Sequence, residues 1–491
     1  MRDIIFTFFN YFVFFYTSML AIFFVTFAFL SFISLKRRKD YYVESYMRKT
    51  IKESPYTPGI SVIAPAFNEE KTIIDNVNSM LALEYPLFEV VIVNDGSTDS
   101  TLKKMIEHYE LIEVPYAYIE RIKTKPFRRL LKSTSPKYSR LIVVDKENGG
   151  TKADASNAGI NVSSYPYFIC TDVDCILEKY ALYRCISPII SSDKQVIAVS
   201  GTMLMANGCV VKDGQIVDVR TPRTPIPLFQ NLEYMRSYLI GKMGWSAING
   251  MPNVSGGFGL FDRSVAIAAG GYDGTSFAED MDLITRMVGY MCDFSRPYKI
   301  IQIPDTCCWT EGPPNLAMLY RQRTRWARGL FQTLNIHRKM IFKKTYKQMG
   351  LLTLPYMFVF EFLAPIIELT GLIVFIYLAF TGAVNWNTAW MIYLTIYTFC
   401  QFLSIVVITY DYYVGMLYKR GYEYLWIIIA SILEPIFYHP IITFCSLRGY
   451  LSYLTNRDFK WKNMERKGFK QKEENTDDAE TAAMKPEPAT I

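Results

Sequence analysis

Cysteine in metal-binding or paired arrangement is what this chain most plainly lacks. Nine cysteines are scattered over 491 residues, no Cys-x-x-Cys occurs, and Cys307 and Cys308 are simply adjacent. This usage offers no basis for a cysteine metal site or a disulfide framework, and it fits reduced thiols in a cytosolic compartment. A dominant charge is missing as well. The 53 basic and 46 acidic side chains leave a formal +7 over a long chain, so nucleic-acid binding is not indicated. Apolar residues, by contrast, are abundant. At 51% hydrophobic and a mean hydropathy of +0.11 the chain is too apolar for an ordinary soluble enzyme, yet 20% charged residues is too many for membrane spans alone. The two kinds of material must lie in separate blocks.

The first block is an uncharged apolar run from Ile4 through Leu35, well beyond the ~20 residues that cross a bilayer core. It has no small-residue cleavage site and ends in Lys36-Arg37-Arg38-Lys39, so it reads as a retained transmembrane helix with the following chain on the cytoplasmic side. Domains are expected at 1–35 (membrane helix), 36–59 (basic linker), 60–345 (soluble-like block ending in an interface helix), 346–447 (membrane and interfacial bundle) and 448–491 (cytosolic tail). Within the bundle, Leu351–Phe380 and Ala389–Tyr410 are long enough to span. Tyr424–Leu447 is interrupted by Glu434-Pro435 and His439-Pro440, while seven basic residues against two acids lie between Arg448 and Lys470. That balance favours an inside tail, so the third stretch is expected to enter and return or to lie along the interface, the alternative being a true crossing. Glu361, Glu368 and Glu434 sit at membrane depth and are expected to meet a polar cavity, a partner or headgroups. Residues 471–491 are acidic and poor in apolar groups, the composition of a disordered tail.

The central block opens on Ile60-Ser61-Val62-Ile63-Ala64, a helical stretch from about Lys71 to Leu83, and Val90-Val91-Ile92-Val93. Strand, helix, strand in this order is the pattern of a parallel α/β unit, whose ligands bind beyond the carboxyl ends of the strands. Those ends carry Phe67-Asn68-Glu69 and Asn94-Asp95-Gly96-Ser97, which taken singly are also ordinary turn chemistry. A third strand, Leu141–Val144, leads into Gly149-Gly150-Thr151-Lys152-Ala153-Asp154, where close backbone approach and a lysine point charge suit a diphosphate. A fourth, Tyr167–Thr171, ends in Asp172-Val173-Asp174. Two carboxylates so spaced can engage a hard divalent cation, which neutralises a nucleotide diphosphate.

This ordered set resembles the GT-A nucleotide-sugar-binding core of glycosyltransferase family 2. Two later motifs, Phe277-Ala278-Glu279-Asp280 and Gln322-Arg323-Thr324-Arg325-Trp326, resemble those of the processive membrane synthases that make cellulose, chitin, hyaluronan and poly-N-acetylglucosamine. Inverting sugar transfer needs a carboxylate to take the acceptor hydroxyl's proton while the nucleotide diphosphate leaves. In the family pattern Asp280 is that base, although capping of a helix start would also explain Glu279-Asp280. Gln322, Arg325 and Trp326 share one face of a helix. The resemblance implies that Gln322 and Arg325 bind the donor diphosphate region and that Trp326 floors the acceptor site. Cys308-Trp309 resembles the segment preceding this motif in poly-N-acetylglucosamine-type synthases and is expected to shape the channel mouth.

The sequence departs from the family in two places. Thr151 is an extra residue in the usual Gly-Gly-Lys order, and residues 121–140, with eight basic side chains and no acid, are insertion-like and expected as a loop. The expected fold is a GT-A α/β domain joined to transmembrane helices, in the inner membrane with the catalytic part cytoplasmic. The expected activity is inverting transfer from a UDP-sugar, UDP-N-acetylglucosamine being favoured, to a growing β-linked polysaccharide, coupled to export. Asp172 and Asp174 would hold Mg²⁺ or Mn²⁺, and Glu69, Asp95, Lys152, Asp172, Gln322 and Arg325 would hold the donor. Glu279, Trp309 and Trp326 would meet the acceptor. Expected partners are the UDP-sugar, the polysaccharide, the bilayer and a small accessory subunit. The alternatives are a non-processive enzyme acting on a lipid-linked acceptor, a glucosyltransferase using UDP-glucose, and a transporter with a regulatory nucleotide-binding domain.

Overall fold

The computed structural model describes residues 2–41, 44–212 and 214–455. The acidic tail expected at 471–491, and most of the 448–491 segment, lie outside the described residues. Helix α1 (Arg2–Tyr41) contains neither proline nor glycine and runs unbroken through Lys36–Lys39. With α2 (Glu44–Glu53) following, the stretch read as a linker is largely helical.

Strand β1 (Ile60–Ala66), α3 (Ile73–Leu81) and β2 (Phe88–Asp95) form the first α/β unit, with β1 and β2 parallel from Ile60↔Phe88 to Ala66↔Asn94. Then come α4 (Thr101–Tyr109), β3 (Leu111–Glu113), β4 (Phe127–Ser133), β5 (Leu141–Lys146), α5 (Lys152–Val162), β6 (Tyr167–Thr171), β7 (Ile176–Leu177), α6 (Ala181–Ile190) and β8 (Gln195–Met205). A two-stranded hairpin, β9 (Val210–Lys212) with β10 (Gln215–Asp218), precedes α7 (Pro225–Arg236), a π-helical turn (Ser237–Lys242) and α8 (Met243–Ala247). The domain continues through β11 (Phe258–Asp262), α9 (Arg263–Ala268), α10 (Glu279–Asp293), β12 (Tyr298–Thr310) and α11 (Leu316–Ile336).

Ten strands make one mixed sheet in the order β3-β4-β5-β2-β1-β6-β11-β8-β12-β7. β1, β2, β5 and β6 are parallel, and β2 is buried along its whole length, as a strand covered on both faces must be. The chain adds β2 and β5 on one side of β1 and then crosses to place β6 on the other. That reversal opens a crevice beyond the carboxyl ends of β1 and β6, where open α/β sheets bind ligands.

Two expectations need correction. Residues 121–140 are not simply a loop, because β4 pairs antiparallel with both β3 and β5. Leu130 and Leu131 are buried there, and Arg129 Nε meets Asp145 Oδ2 at 3.1 Å. The third carboxyl-terminal stretch also does not turn back on itself. After α12 (Leu354–Tyr356), α13 (Ala364–Phe380) and α14 (Trp386–Val414), it forms one continuous helix, α15 (Gly421–Leu454), with Pro435 and Pro440 inside it. Pro435 removes the N–H that Ser431 carbonyl would accept four residues on. Gln401 Nε2 of α14 donates to that carbonyl at 2.8 Å instead, and Ser431 Oγ donates back to Gln401 Oε1 at 2.9 Å.

Among the described residues four helical stretches are long and apolar enough to cross a membrane: Tyr11–Arg38, Met349–Phe380, Trp386–Val414 and Gly421–Leu454. Two of the three acids at membrane depth find side-chain partners. Glu434 Oε2 accepts from Arg236 Nη2 at 2.7 Å, and Glu368 meets His439 Nε2 at 3.1 Å and Thr443 Oγ1 at 2.6 Å. Helix α15 packs on α11 and α7, and its backbone comes close to α11 at Gly449. A Cβ there would lie 2.6 Å from Thr324 carbonyl oxygen and 2.7 Å from Ala327 Cβ.

Candidate active site

At the end of β2, Asp95 is buried and its Oδ1 accepts from Lys146 Nζ at 2.8 Å and from Gly149 N–H at 3.0 Å. Lys146 is fully buried at the end of β5 and also pairs with Asp154 Oδ2 at 2.6 Å. Asp95 thus fixes the glycine loop to the neighbouring strand. Gly96 serves the same junction, with φ +65 and no room for a Cβ, which would lie 2.8 Å from Asn148 N. At the end of β1, Asn68 has φ 57 and its Oδ1 accepts from Thr98 N–H at 2.8 Å, while Glu69 N–H donates to Thr101 Oγ1 at 2.8 Å. The two strand-end motifs are therefore stitched together side by side.

Thr151, the extra residue of the glycine loop, is the N-cap of α5, its side chain accepting from Asp154 N–H at 3.3 Å. Lys152 follows as the first helical residue and points across the crevice. Its Nζ lies 2.6 Å from Asp172 Oδ1 and donates to Gly256 carbonyl at 2.6 Å. Burial works to lower the pKa of this ammonium, but the charges of Asp172, Cys170 and Glu279 outweigh it and the net shift is upward.

Asp172, Asp174 and Cys175 bring one ligand atom each to within 4.8 Å of one another. Two carboxylates are hard oxygen donors suited to Mg²⁺ or Mn²⁺, with the buried Cys175 thiol a softer neighbour. The donor set fits a hard divalent cation. Gly257 lies beside this group: a Cβ there would crowd Met203 Sδ at 3.0 Å and sit in ordinary contact with Asp172 Oδ2 at 3.6 Å.

Asp280 stands opposite, in the first turn of α10. Its Oδ2 accepts from Gly256 N–H at 3.1 Å and its Oδ1 from Met281 N–H at 2.9 Å. Gly256 therefore links Lys152, through its carbonyl, to Asp280, through its amide. Glu279 has a raised pKa: burial lifts it, Arg325 pulls it down, the adjacent Asp280 lifts it, and Lys152 pulls it down. An acid held partly toward its neutral form beside a second carboxylate is a common active-site arrangement.

Helix α11 supplies Arg325 to this group and presses on it directly. A Cβ at Gly329 would lie 2.6 Å from Ala278 Cβ and 3.0 Å from Ala278 N, immediately before Glu279-Asp280. Gln322, one turn back, accepts from Gln230 Nε2 of α7 at 3.1 Å. Trp326 is half-buried with Arg323 over its ring at 4.4 Å. Trp309 is different: at 4% exposure it lies within β12, aligned with Leu204 and Ile176 on either side. Thus Lys152, Asp172, Glu279, Asp280 and Arg325 converge, Glu69 and Asp95 flank them at strand ends, and Gln322 and Trp326 sit on the α7 side.

Three residues with parts in this arrangement were not apparent from the sequence. Lys146 fixes Asp95, Cys175 joins the carboxylate pair, and Arg323 anchors α11 by donating to Glu233 Oε1 at 2.7 Å and to Tyr438 OH at 2.9 Å. Lys146 and Arg323 act through Asp95, Glu233 and Tyr438, partners far away in sequence. Only the position of Cys175, next to Asp174, carried any signal.

The glycosyl transferase family 2 model matches residues 61–203, and the model for glycosyl transferase family group 2 matches residues 222–410. Poly-beta-1,6-N-acetyl-D-glucosamine synthase of Staphylococcus aureus (strain COL) is 29% identical over 278 residues, covering 56% of this chain and 55% of that protein. The chain thus spans about half the length of that relative. The protein of the same name from Staphylococcus epidermidis is 24% identical over 393 residues, covering 77% of this chain and 83% of its own. Among solved structures, the mannosyltransferase PcManGT from Pyrobaculum calidifontis, in complex with GDP-Man and Mn²⁺, matches with a TM-score of 0.50 at 17% identity. That match covers 88% of this chain and 100% of the other, and it bears on the fold alone.

Proposed function

Because the chain is a family 2 glycosyltransferase with a GT-A-like sheet and long apolar helices, we propose that it is a membrane-embedded, inverting polysaccharide synthase. The donor is a UDP-sugar, UDP-N-acetylglucosamine first among them, since both staphylococcal relatives are named as poly-N-acetylglucosamine synthases. The observation that carries this reading is the convergence of Lys152, Asp172, Glu279, Asp280 and Arg325 on one crevice, with α11 joining that crevice to α15.

In this reading Glu69 and Asp95 orient the nucleotide at the strand ends, and Asp172 and Asp174 hold the divalent cation. When bound, that cation would offset the charge of the diphosphate as it leaves. Lys152 exchanges its contact with Asp172 for the diphosphate once the donor arrives, and Arg325 and Gln322 face the same group from α11. Asp280 takes the proton from the acceptor hydroxyl as that oxygen attacks the anomeric carbon, with Glu279 and Trp326 against the acceptor ring. The bond from the anomeric carbon to the diphosphate breaks and UDP departs with the electron pair. Trp309 supports the wall behind this site from within β12. The catalytic domain faces the cytoplasm, the domains follow the order expected from sequence, with α1 extending to Tyr41 and α15 to Leu454, and the carboxyl-terminal helices carry the polymer outward.

A panel of radiolabelled UDP-sugars given to membranes bearing the protein, followed by linkage-specific glycosidases, tests this. The expected result is polymer from UDP-N-acetylglucosamine, digested by a β-N-acetylglucosaminidase and abolished by a metal chelator. Short single-sugar products on lipid, or incorporation from UDP-glucose alone, would favour the two enzymatic alternatives. The absence of UDP release with every donor would overturn the enzyme reading.

A further inference from the structure

Lys242 is a buried cation that the reaction as described leaves unused. It ends the π-helical turn between α7 and α8, is 7% exposed, and has its ammonium 4.6 Å from the centroid of the Tyr238 ring. Among the described residues it has neither an ion pair nor a hydrogen bond, and the one charge that acts on it is that of Asp280. Burial lowers its pKa to about 8, with Asp280 opposing the shift.

The turn connects the site to the membrane helices. Tyr238 is hydrogen-bonded to Ser255, and the next residue, Gly256, donates to Asp280 and accepts from Lys152. On the other side Ser31 Oγ of α1 donates to Ile240 carbonyl at 2.9 Å, and a Cβ on Gly244 would lie 2.7 Å from Phe27 Cβ. Lys242 thus sits where the catalytic carboxylate meets the first membrane helix.

A buried ammonium without a protein acceptor is costly, and a methionine would fill the same space. Single π turns inside helices also concentrate at functional sites. An ammonium offers three donors, and the hydroxyl and N-acetyl carbonyl oxygens of a sugar ring are matching acceptors. We propose that Lys242 is an acceptor-binding residue, donating to a hydroxyl or N-acetyl carbonyl oxygen of the terminal sugar beside the hydroxyl that Asp280 deprotonates. The assignment rests on the synthase reading above. It predicts selectivity on the acceptor side, separate from recognition of the donor.

The test uses the full chain in membranes, with UDP-N-acetylglucosamine as donor and N-acetylglucosamine oligomers as acceptor probe. Lys242→Met is expected to raise the apparent KM for the oligomer by about tenfold, the scale of one lost charge-assisted hydrogen bond. The donor KM should shift by less than about twofold, and Lys242→Arg should recover most of the acceptor affinity. An unchanged acceptor KM in Lys242→Met, or equal losses for donor and acceptor, overturns the assignment while leaving the synthase reading intact. Loss of folded Lys242→Met from the membrane while Lys242→Arg accumulates assigns the charge a structural role and also overturns it. Wild-type protein that extends no oligomer from any UDP-sugar contradicts the synthase reading first, and this proposal with it.

Discussion

Two lysines six positions apart show how burial and partner choice divide labour between similar side chains. Lys152 reaches across an open crevice to Asp172, whereas Lys146 is sealed between Asp95 and Asp154. Replacing Lys146 by Met should leave two acids uncompensated in a buried site and destabilise the domain by about 3 kcal/mol. Thermal unfolding of the purified protein would register this as a clear fall in Tm, and an unchanged Tm would contradict the account. The sequence could not reveal this role, because Asp145-Lys146-Glu147 reads as a charged strand end and its partners arrive from β2 and α5. The placement of Asp172 and Asp174 at a strand end and of Asp280 at a helix start was legible because that chemistry is local, whereas the role expected of Asp280 came from the family resemblance. Lys242 yields a pH prediction, since Asp280 from α10 and Tyr238 from its own turn are the groups that act on it. Its ammonium is charged below about pH 8 and neutral above. Acceptor KM should therefore rise between about pH 7 and about pH 9 in the wild type, and stay flatter in Lys242→Arg, where the charge persists.

At the scale of elements, α11 is the part that holds the chemistry in register. Its Gly329 lies against Ala278, so Gly329→Val would push the start of α10 away and displace Asp280 from Gly256. Overpacking of this kind costs about 1–3 kcal/mol. The expected readout is a fall in kcat of at least about tenfold, with the protein still folded by gel filtration. The face-sharing of Gln322, Arg325 and Trp326 was legible from their spacing, and α11 realises it over Leu316–Ile336. Two other elements were not legible, each for a physical reason. β4 carries so many basic residues that it reads as a solvated loop, yet Leu130 and Leu131 are enough to seat it at the sheet edge. α15 contains two prolines that argue for a break, but Gln401 of α14 satisfies the carbonyl that Pro435 leaves without a donor. In both cases the deciding partner comes from another element.

At the scale of the whole molecule, the mixed composition that is neither soluble nor wholly membranous becomes a division of labour. The ten-stranded sheet carries the crevice, and helix α15 is tied to α7, to the segment before α7 and to α11 by polar contacts. Arg323 and Tyr438 meet on Glu233, Arg236 meets Glu434, and Glu423 accepts from Thr221 N–H at 2.9 Å and from Arg223 Nη2 at 2.9 Å. Such contacts would tie sugar transfer to the path of the product. The central claim is that Asp280 is the base of an inverting polymerisation. Its most direct test compares wild type with Asp280→Asn, at equal protein in lipid bilayers, for polymer made from radiolabelled UDP-N-acetylglucosamine with Mg²⁺ or Mn²⁺. The account predicts that Asp280→Asn still binds UDP but makes polymer at less than about one hundredth of the wild-type rate. Polymer synthesis by Asp280→Asn at the wild-type rate would contradict it.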